Sequence, residues 1–334
     1  MSILFHKKSQ TSKLRTGLLF VFLLVFTGEA VANEVPHGKG LFWKIEKGDR
    51  KPSYLLGTMH VSDKRVLKMK EEVKPYLAEA WIFYGEIVDT YREYREYINI
   101  RYRDDGKTLE DDLSEELYEK ALEVAKLIDI KEKRFKNFEL WYVYELMNGA
   151  PWYRGDDQEK EDDEDDYEPI LDSQLEDLAY ENHLKVKALE EMRPRAILIN
   201  DRPKEIYLEA IERALANTDV IEDVEAERES GIQVYLDRDT ERMYNELEED
   251  LKDEPAEIYD IEKVAMLDKR NLNMVNGMTP GLVRGNSFTA VGALHLPGEK
   301  GILNILVQRG YTVSRMDCAK DEKSSFCPEE TLTQ

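Results

Sequence analysis

The sequence predicts an α/β protein in which two strand–Gly-x-x-His–helix–strand units, one near each end of the mature chain, enclose a helical middle. Three observations carry that prediction. The strand-like runs Ser53–Leu56 and Ser287–Val291 each stop at a Gly-x-x-His tetrapeptide. A helical stretch follows each tetrapeptide, about Val66–Ala78 in the first case and Lys300–Arg309, closed by Gly310, in the second. A second strand-like run then follows each helix, Ala80–Val88 and Tyr311–Met316. Strands that are apolar throughout and joined by a helix suggest parallel pairs covered on both faces.

Between these ends the periodicity is mostly helical. Ser114 is positioned to cap a helix whose first turn carries Glu115 and Glu116, with Leu117, Ala121, Leu122, Val124, Ala125 and Ile128 at helical spacing. Phe138–Met147 is an aromatic-rich helical stretch, and Asp201 followed by Pro203 opens another, with Ile206, Leu208, Ile211 and Leu215 inward. Thr240–Met274 reads as helix broken around Asp253-Glu254-Pro255. The segment 155–168 holds ten acidic residues and one lysine, the composition of a disordered surface loop, and it lacks the turn glycine and alternating ligands of a calcium loop.

Composition narrows the chemistry. The 334 residues are 42% hydrophobic and 35% charged, enough apolar material for a sizeable core. The net charge of −23 excludes nucleic acid as a partner, because phosphates would be repelled over most of the surface. Two cysteines and five histidines exclude iron–sulfur clusters and multi-finger zinc scaffolds. Any metal chemistry must therefore be run by a few histidines and some of the many carboxylates.

Residues 1–32 read as a secretory signal. Lys7, Lys8, Lys13 and Arg15 form a basic region, Gly17–Phe26 is an apolar run, and Ala30-Val31-Ala32 supplies a small-x-small cleavage pattern. Ten residues of helix rise about 15 Å, half of a bilayer core, so no stable membrane insertion is expected after cleavage. The expected organisation is a signal peptide at 1–32, one domain at 33–317 and a C-terminal tail at 318–334. Export would place Cys318 and Cys327 in an oxidising compartment, where a disulfide between them would clip the tail.

Gly57-x-x-His60 and Gly292-x-x-His295 each put a histidine just past the carboxyl end of a strand, the edge at which open α/β sheets bind ligands. The glycine lets the backbone turn sharply there. Placed side by side, the two units would bring His60 and His295, 235 residues apart, to one crevice. The plainer alternative is two unrelated loop histidines. Glu86 ends the apolar run Trp81–Tyr84 at the same edge, where a carboxylate is costly unless paired, hydrogen-bonded or metal-bound; a glutamate facing water is the alternative. Asp172 and Glu190 follow similar apolar runs and read equally well as site acids or as surface residues. Arg270-Asn271 pairs a guanidinium with an amide on a helix, a combination that holds a carboxylate or steadies a developing oxyanion. No nucleophile elbow, His-Glu-x-x-His, phosphate-binding loop or dinucleotide fingerprint is present, and nothing asks for a nucleotide cofactor.

The segments Leu41–Ile45 and Ser53–His60 at one end, and Phe288–Gly298, Gly301–Leu303 and Arg309–Val313 at the other, resemble the opening and closing segments of TraB/GumN-type proteins. Leu109–Leu117, Leu171-Asp172, Leu189-Glu190 and Arg270-Asn271 fall between them in the family's order. That group is related to the Tiki metal-dependent proteases and, more remotely, to erythromycin-esterase-like and haem-binding ChaN-like proteins. The resemblance implies a central mixed sheet with flanking helices, and a site of His60, Glu86 and His295 with Asp172, Glu190, Arg270 and Asn271 nearby. The chain departs from the family pattern at Ile170, where a glycine usually stands two residues before the aspartate matching Asp172.

Together these readings lead to an expected periplasmic or secreted metal-dependent hydrolase, peptidase-like in its action on a peptide or another small envelope substrate. His60 and His295 would hold a divalent ion, zinc, manganese or cobalt by donor type, with Glu86, Asp172 and Glu190 as further candidate ligands. Glu86 would alternatively be the base that activates water, and Arg270 and Asn271 would orient the substrate or oxyanion. The alternative is a non-catalytic cell-envelope protein that uses the same crevice to bind a peptide, a haem or a glycan.

Overall fold

The computed structural model of the chain describes residues 35–88, 99–128, 130–149, 170–191, 202–216, 220–252 and 254–317. The segment 1–32 expected to be a signal, the acidic segment 155–168 and both cysteines, with the disulfide expected between them, lie outside the described residues.

Strands β1 (Phe42–Glu46) and β2 (Ser53–Thr58) form an antiparallel hairpin. From β2 the chain passes through α1 (Lys64–Leu67) and α2 (Met69–Glu79) to β3 (Ile82–Gly85). The helical middle comprises α3 (Glu115–Leu127), α4 (Glu132–Phe135), α5 (Leu140–Gly149) and α6 (Leu171–Glu181). A fourth strand, β4 (Lys185–Ala188), precedes α7 (Lys204–Ala216), α8 (Val220–Leu236), α9 (Thr240–Leu251) and α10 (Ala256–Tyr259). A π-helical stretch, Asp260–Asp268, runs directly into α11 (Lys269–Arg284), and β5 (Ser287–Gly292), α12 (Ile302–Gln308) and β6 (Thr312–Arg315) complete the domain. Local chemistry explains several of these boundaries. Ser114 Oγ accepts the Leu117 N–H at the start of α3, Asp239 does the same for Arg242 at α9, and Gly310, with φ 77°, ends α12. Among the described residues no helix is long and apolar enough to cross a membrane.

The sheet is mixed, in the order β4-β3-β5-β2-β1-β6. Strands β4, β3, β5 and β2 are parallel, while β1 is antiparallel to both of its neighbours. The expectation that each end of the chain forms its own adjacent parallel pair does not describe this sheet. β5 lies between β2 and β3, and β2 and β1 separate β5 from β6. Strand patterning identifies which segments extend but carries no information about which become neighbours. The central place falls to β5, whose Ser-Phe-Thr-Ala-Val-Gly is buried along almost its whole length, as a strand covered on both faces must be. The edge falls to β4, where Lys185 and Lys187 face solvent and discourage further strand addition.

Helices cover both faces. Leu56, Phe83 and Phe288 belong to the larger core with α2, α3, α5 and α6, and Phe288 lies between Phe42 and Phe83 with ring centroids 6.2 Å from each. Leu55, Tyr84 and Val291 belong to a smaller core with α11 and α12. Adjacent residues Leu55 and Leu56, each at most 1% exposed, thus point into different cores, the two-residue period of a strand.

His37 packs edge-on against Trp43 with centroids 5.7 Å apart, and its Nδ1 is buried without a hydrogen-bond partner among the described residues. Burial lowers its imidazole from the ordinary value to about 4. A histidine whose folded pKa is depressed binds its proton more readily when unfolded, at about 6.5. Its contribution is therefore complete above that pH, falls as pH drops from about 6.5 towards 4, and levels off below. Urea denaturation at pH 7 and at pH 4.5 should show a smaller acid-induced loss for His37→Phe than for the parent protein; identical losses would rule out a neutral buried imidazole.

Candidate functional site

The carboxyl ends of the four parallel strands lie along one sheet edge, and each delivers a polar side chain just beyond its last residue. In spatial order these are Glu190 after β4, Glu86 after β3, His295 after β5 and His60 after β2. The register Thr58↔Gly292 sets the two Gly-x-x-His segments side by side. Neither glycine is needed for a left-handed backbone, contrary to the sharp-turn expectation: Gly292 has φ −52° and ψ 135°, and neither residue is among the glycines of positive φ. Gly57 is needed for close packing, and Gly292 leaves a small volume open. A Cβ at Gly57 would come within 2.7 Å of Leu296 Cδ1 and 3.0 Å of Ala293 Cα, so this glycine lets the loop after β5 lie on β2. A Cβ at Gly292 would sit 3.4 Å from Glu86 Oε2, 3.4 Å from His295 Cδ2 and 3.8 Å from His60 Nε2. The small volume above Gly292 is where the three side chains meet.

Each imidazole is fixed from behind. Asp172, in the first turn of α6, accepts from Thr58 Oγ1 at 2.7 Å and pairs with His60 Nδ1 at 3.0 Å. Asn271 Nδ2 donates to the Lys300 carbonyl at 2.9 Å, which orients the amide so that Oδ1 faces His295 Nδ1 at 2.6 Å. In both rings Nδ1–H therefore donates, and the lone pair of the neutral form lies on Nε2. His60 stands at the mouth with half its side chain exposed, while His295 is buried. The charge of Asp172 raises His60 above the ordinary histidine value; desolvation opposes this, and the hydrogen bond that His60 donates to Asp172 and the charge of Glu86 reinforce it.

Glu86 is the buried centre. Its Oε1 accepts a short hydrogen bond from Arg270 Nη2 and lies 3.9 Å from His295 Nε2, and its Oε2 accepts the Gly292 N–H at 2.9 Å. Burial pushes this carboxyl up. The Arg270 guanidinium outweighs it, helped by His295, His60 and the Gly292 amide, and holds Glu86 ionised well below the usual carboxylate range. Arg270 in turn donates through Nε to Glu190 at 2.6 Å and through Nη1 to the Met266 carbonyl at 3.0 Å. That last carbonyl belongs to the π-helical stretch, where the usual helical hydrogen bond is displaced.

The structure thus brings all seven candidate residues to one sheet edge, in two layers. His60, His295 and Glu86 face the volume above Gly292. Asp172 and Asn271 hold the two rings, Arg270 holds Glu86, and Glu190 holds Arg270. Asp172 and Glu190, considered as metal ligands from sequence, are here hydrogen-bonded to His60 and Arg270. Among the described residues no group of three or more His, Cys, Asp or Glu side chains is arranged to hold a metal ion. Sequence reasoning missed Thr58, although it lies inside the first tetrapeptide, and the Gly292 amide, which no side-chain pattern reveals. It also missed Asp268, which is buried between Lys263 at 2.7 Å and Lys300 at 2.9 Å and anchors the turn preceding Arg270. His183, with φ 58°, lies in the turn after α6 and takes no part.

Removing one partner of a buried ion pair leaves the other uncompensated. Arg270→Met, which strands Glu86 and Glu190 together, is expected to cost about 3–5 kcal/mol in urea denaturation. A loss of about 1 kcal/mol or less, the range of an exposed pair, would contradict the buried arrangement.

No curated protein and no solved structure matches the chain. The model of the TraB/PrgY/gumN family matches residues 41–315, from the residue before β1 to the last residue of β6. With that match covering most of its length, the chain belongs to the TraB/PrgY/gumN family.

Proposed function

We propose that the protein is an exported, metal-dependent hydrolase that cleaves peptide bonds at the crevice above Gly292. One observation supports this reading most directly: His60 Nε2, the Cδ2 edge of the His295 ring and the ionised Glu86 all lie within 3.4–3.8 Å of the point that a Cβ on Gly292 would occupy. The donors suit a divalent ion. His60 and His295 would hold it through Nε2, each ring locked by the partner on its Nδ1, as histidine ligands commonly are. When bound, the ion would supply Lewis acidity and lower the pKa of a coordinated water.

The chain's own residues do the rest. Glu86, ionised and fixed by Arg270 and Gly292, accepts the proton of the attacking water at Oε1 or Oε2. Asn271 keeps the His295 ring in the orientation that exposes Nε2. Asp172 does so for His60 at the exposed mouth, the side from which a substrate enters. Arg270 has all three of its nitrogens engaged with Glu86, Glu190 and Met266, so in this reading it positions Glu86 and does not itself bind the oxyanion. That same occupancy favours a second reading. With both Glu86 oxygens already bonded, the crevice also suits a non-catalytic protein that holds a peptide, a haem or a glycan between the imidazoles.

Peptide hydrolysis with added manganese or zinc separates the two readings. His60→Ala and His295→Ala should each lower the rate by about 100-fold or more while circular dichroism is unchanged; full activity in either variant ends the mechanism. Gly292→Ala is the sharper test, because its methyl meets only ordinary contacts at 3.4–3.8 Å and its backbone angles suit alanine. It should keep the parent melting temperature and lose both bound metal and activity. Retention of both would place the chemistry elsewhere. Absence of hydrolysis in the parent protein, together with ligand binding that Gly292→Ala abolishes, would establish the binding-protein reading.

A further inference from the structure

The loop that follows His295 rests on a buried charge cluster that touches neither Glu86 nor the two imidazoles. Lys263 is buried, a position a lysine takes only when its charge is answered. Its Nζ donates to Asp268 Oδ1 at 2.7 Å, lies 3.6 Å from Glu248 Oε1 and stands over the Tyr244 ring, 5.2 Å from the centroid. Asp268, equally buried, turns its other oxygen outward, and Oδ2 accepts from Lys300 Nζ at 2.9 Å.

Two features of the chain build this cluster. Lys263 and Asp268 stand five residues apart in the π-helical stretch. In an α-helix residues five apart point about 140° away from each other. In a π-helix, whose hydrogen bonds join residues i and i+5, they stand one above the other. The ion pair therefore suits the wider winding, the same winding that carries the Met266 carbonyl accepting from Arg270 Nη1. The second feature is Gly298, with φ 94°, where a Cβ would come within 2.8 Å of Tyr244 Cε2. Its missing side chain lets the loop after β5 lie on the ring that Lys263 covers.

The cluster reaches the crevice through Lys300. The ammonium of this residue is held by Asp268, and its carbonyl accepts from Asn271 Nδ2 at 2.9 Å, while Asn271 Oδ1 faces His295 Nδ1 at 2.6 Å. With its side chain 67% exposed, Lys300 would ordinarily form a surface pair of little weight. Here it is gripped at both ends, and one of those ends orients an amide at the site.

We propose that Lys263 is a positioning residue for His295: its ammonium holds Asp268, Asp268 holds Lys300, and the Lys300 carbonyl sets the Asn271 amide that fixes the imidazole. What this contributes to metal binding rests on the hydrolase reading above; the orientation of the ring does not.

Proton NMR of the metal-free full chain reads the ring directly, through the His295 Nδ1–H resonance, identified as the one absent from His295→Ala. Lys263→Met and Lys300→Met should each shift that resonance or lose it to exchange with solvent. Lys300→Arg, which keeps the charge on an exposed chain, should leave it in place. Lys300→Met removes only an exposed side chain, so it folds and decides the matter even where Lys263→Met does not. Calorimetric titration with zinc should show about tenfold weaker binding to the same two variants. A parent protein that binds no zinc, while its resonance answers to both substitutions, would overturn the metal reading and leave the positioning role standing. The proposal is overturned if either folded variant keeps the parent resonance, since a lysine of merely structural role lowers stability without moving the ring. It is overturned equally if Lys300→Arg moves the resonance as far as Lys300→Met.

Discussion

Everything at the candidate site depends on the parallel pairing of β2 with β5. That ladder sets Thr58 opposite Gly292, and the missing side chain at Gly57 lets Ala293 and Leu296 lie on β2. Without both contacts the histidines at the two ends of the chain would belong to unconnected loops. Ser53 and Ser287 close the opposite end of the same ladder, with their hydroxyls 3.0 Å apart and fully buried. The register is therefore pinned at both ends, and a slip of one residue would turn every buried side chain of β5 to the wrong face.

A second constraint is electrostatic. Arg270 lies buried between Glu86 and Glu190, with a backbone carbonyl as its third partner. Such a cluster gains little net stability over a well-packed apolar one, yet is severely destabilised when a single member is lost. Its persistence here is explained by what it holds in place, an ionised carboxylate beside two imidazoles. The π-helical stretch before α11 serves the same cluster, since it carries the Met266 carbonyl that accepts from Arg270 and seats Asp268 between two lysines.

Much of this was legible in the sequence, and the limits are instructive. The Gly-x-x-His pairs marked the strand ends because a short strand-like run followed by glycine and then a helix has few other interpretations. Ser114 marked α3 because an N-cap acts within one turn. The helical reading of Thr240–Met274 located the helices, but a π-helix has no propensity signature, so Asp260–Asp268 passed for ordinary helix. Glu190 and Asp172 looked no different from surface acids in a chain this acidic, because the partners that define them, Arg270 and His60, are supplied by distant segments. The neighbour relations of the strands were equally hidden: interleaving of β5 between β2 and β3 is decided by which strand tolerates burial on both faces.

That interleaving has a consequence for how the molecule assembles. β2 and β3 are made early, yet the strand that joins them spans Ser287–Gly292, more than two hundred residues later. Until that segment arrives, both have an unsatisfied edge and no shared hydrogen bonds, so the sheet cannot form progressively from the amino end. Closing so long a loop is entropically expensive and slow. The chain therefore commits to its native topology only when nearly all of it is present, so the order of synthesis does not dictate the order of assembly.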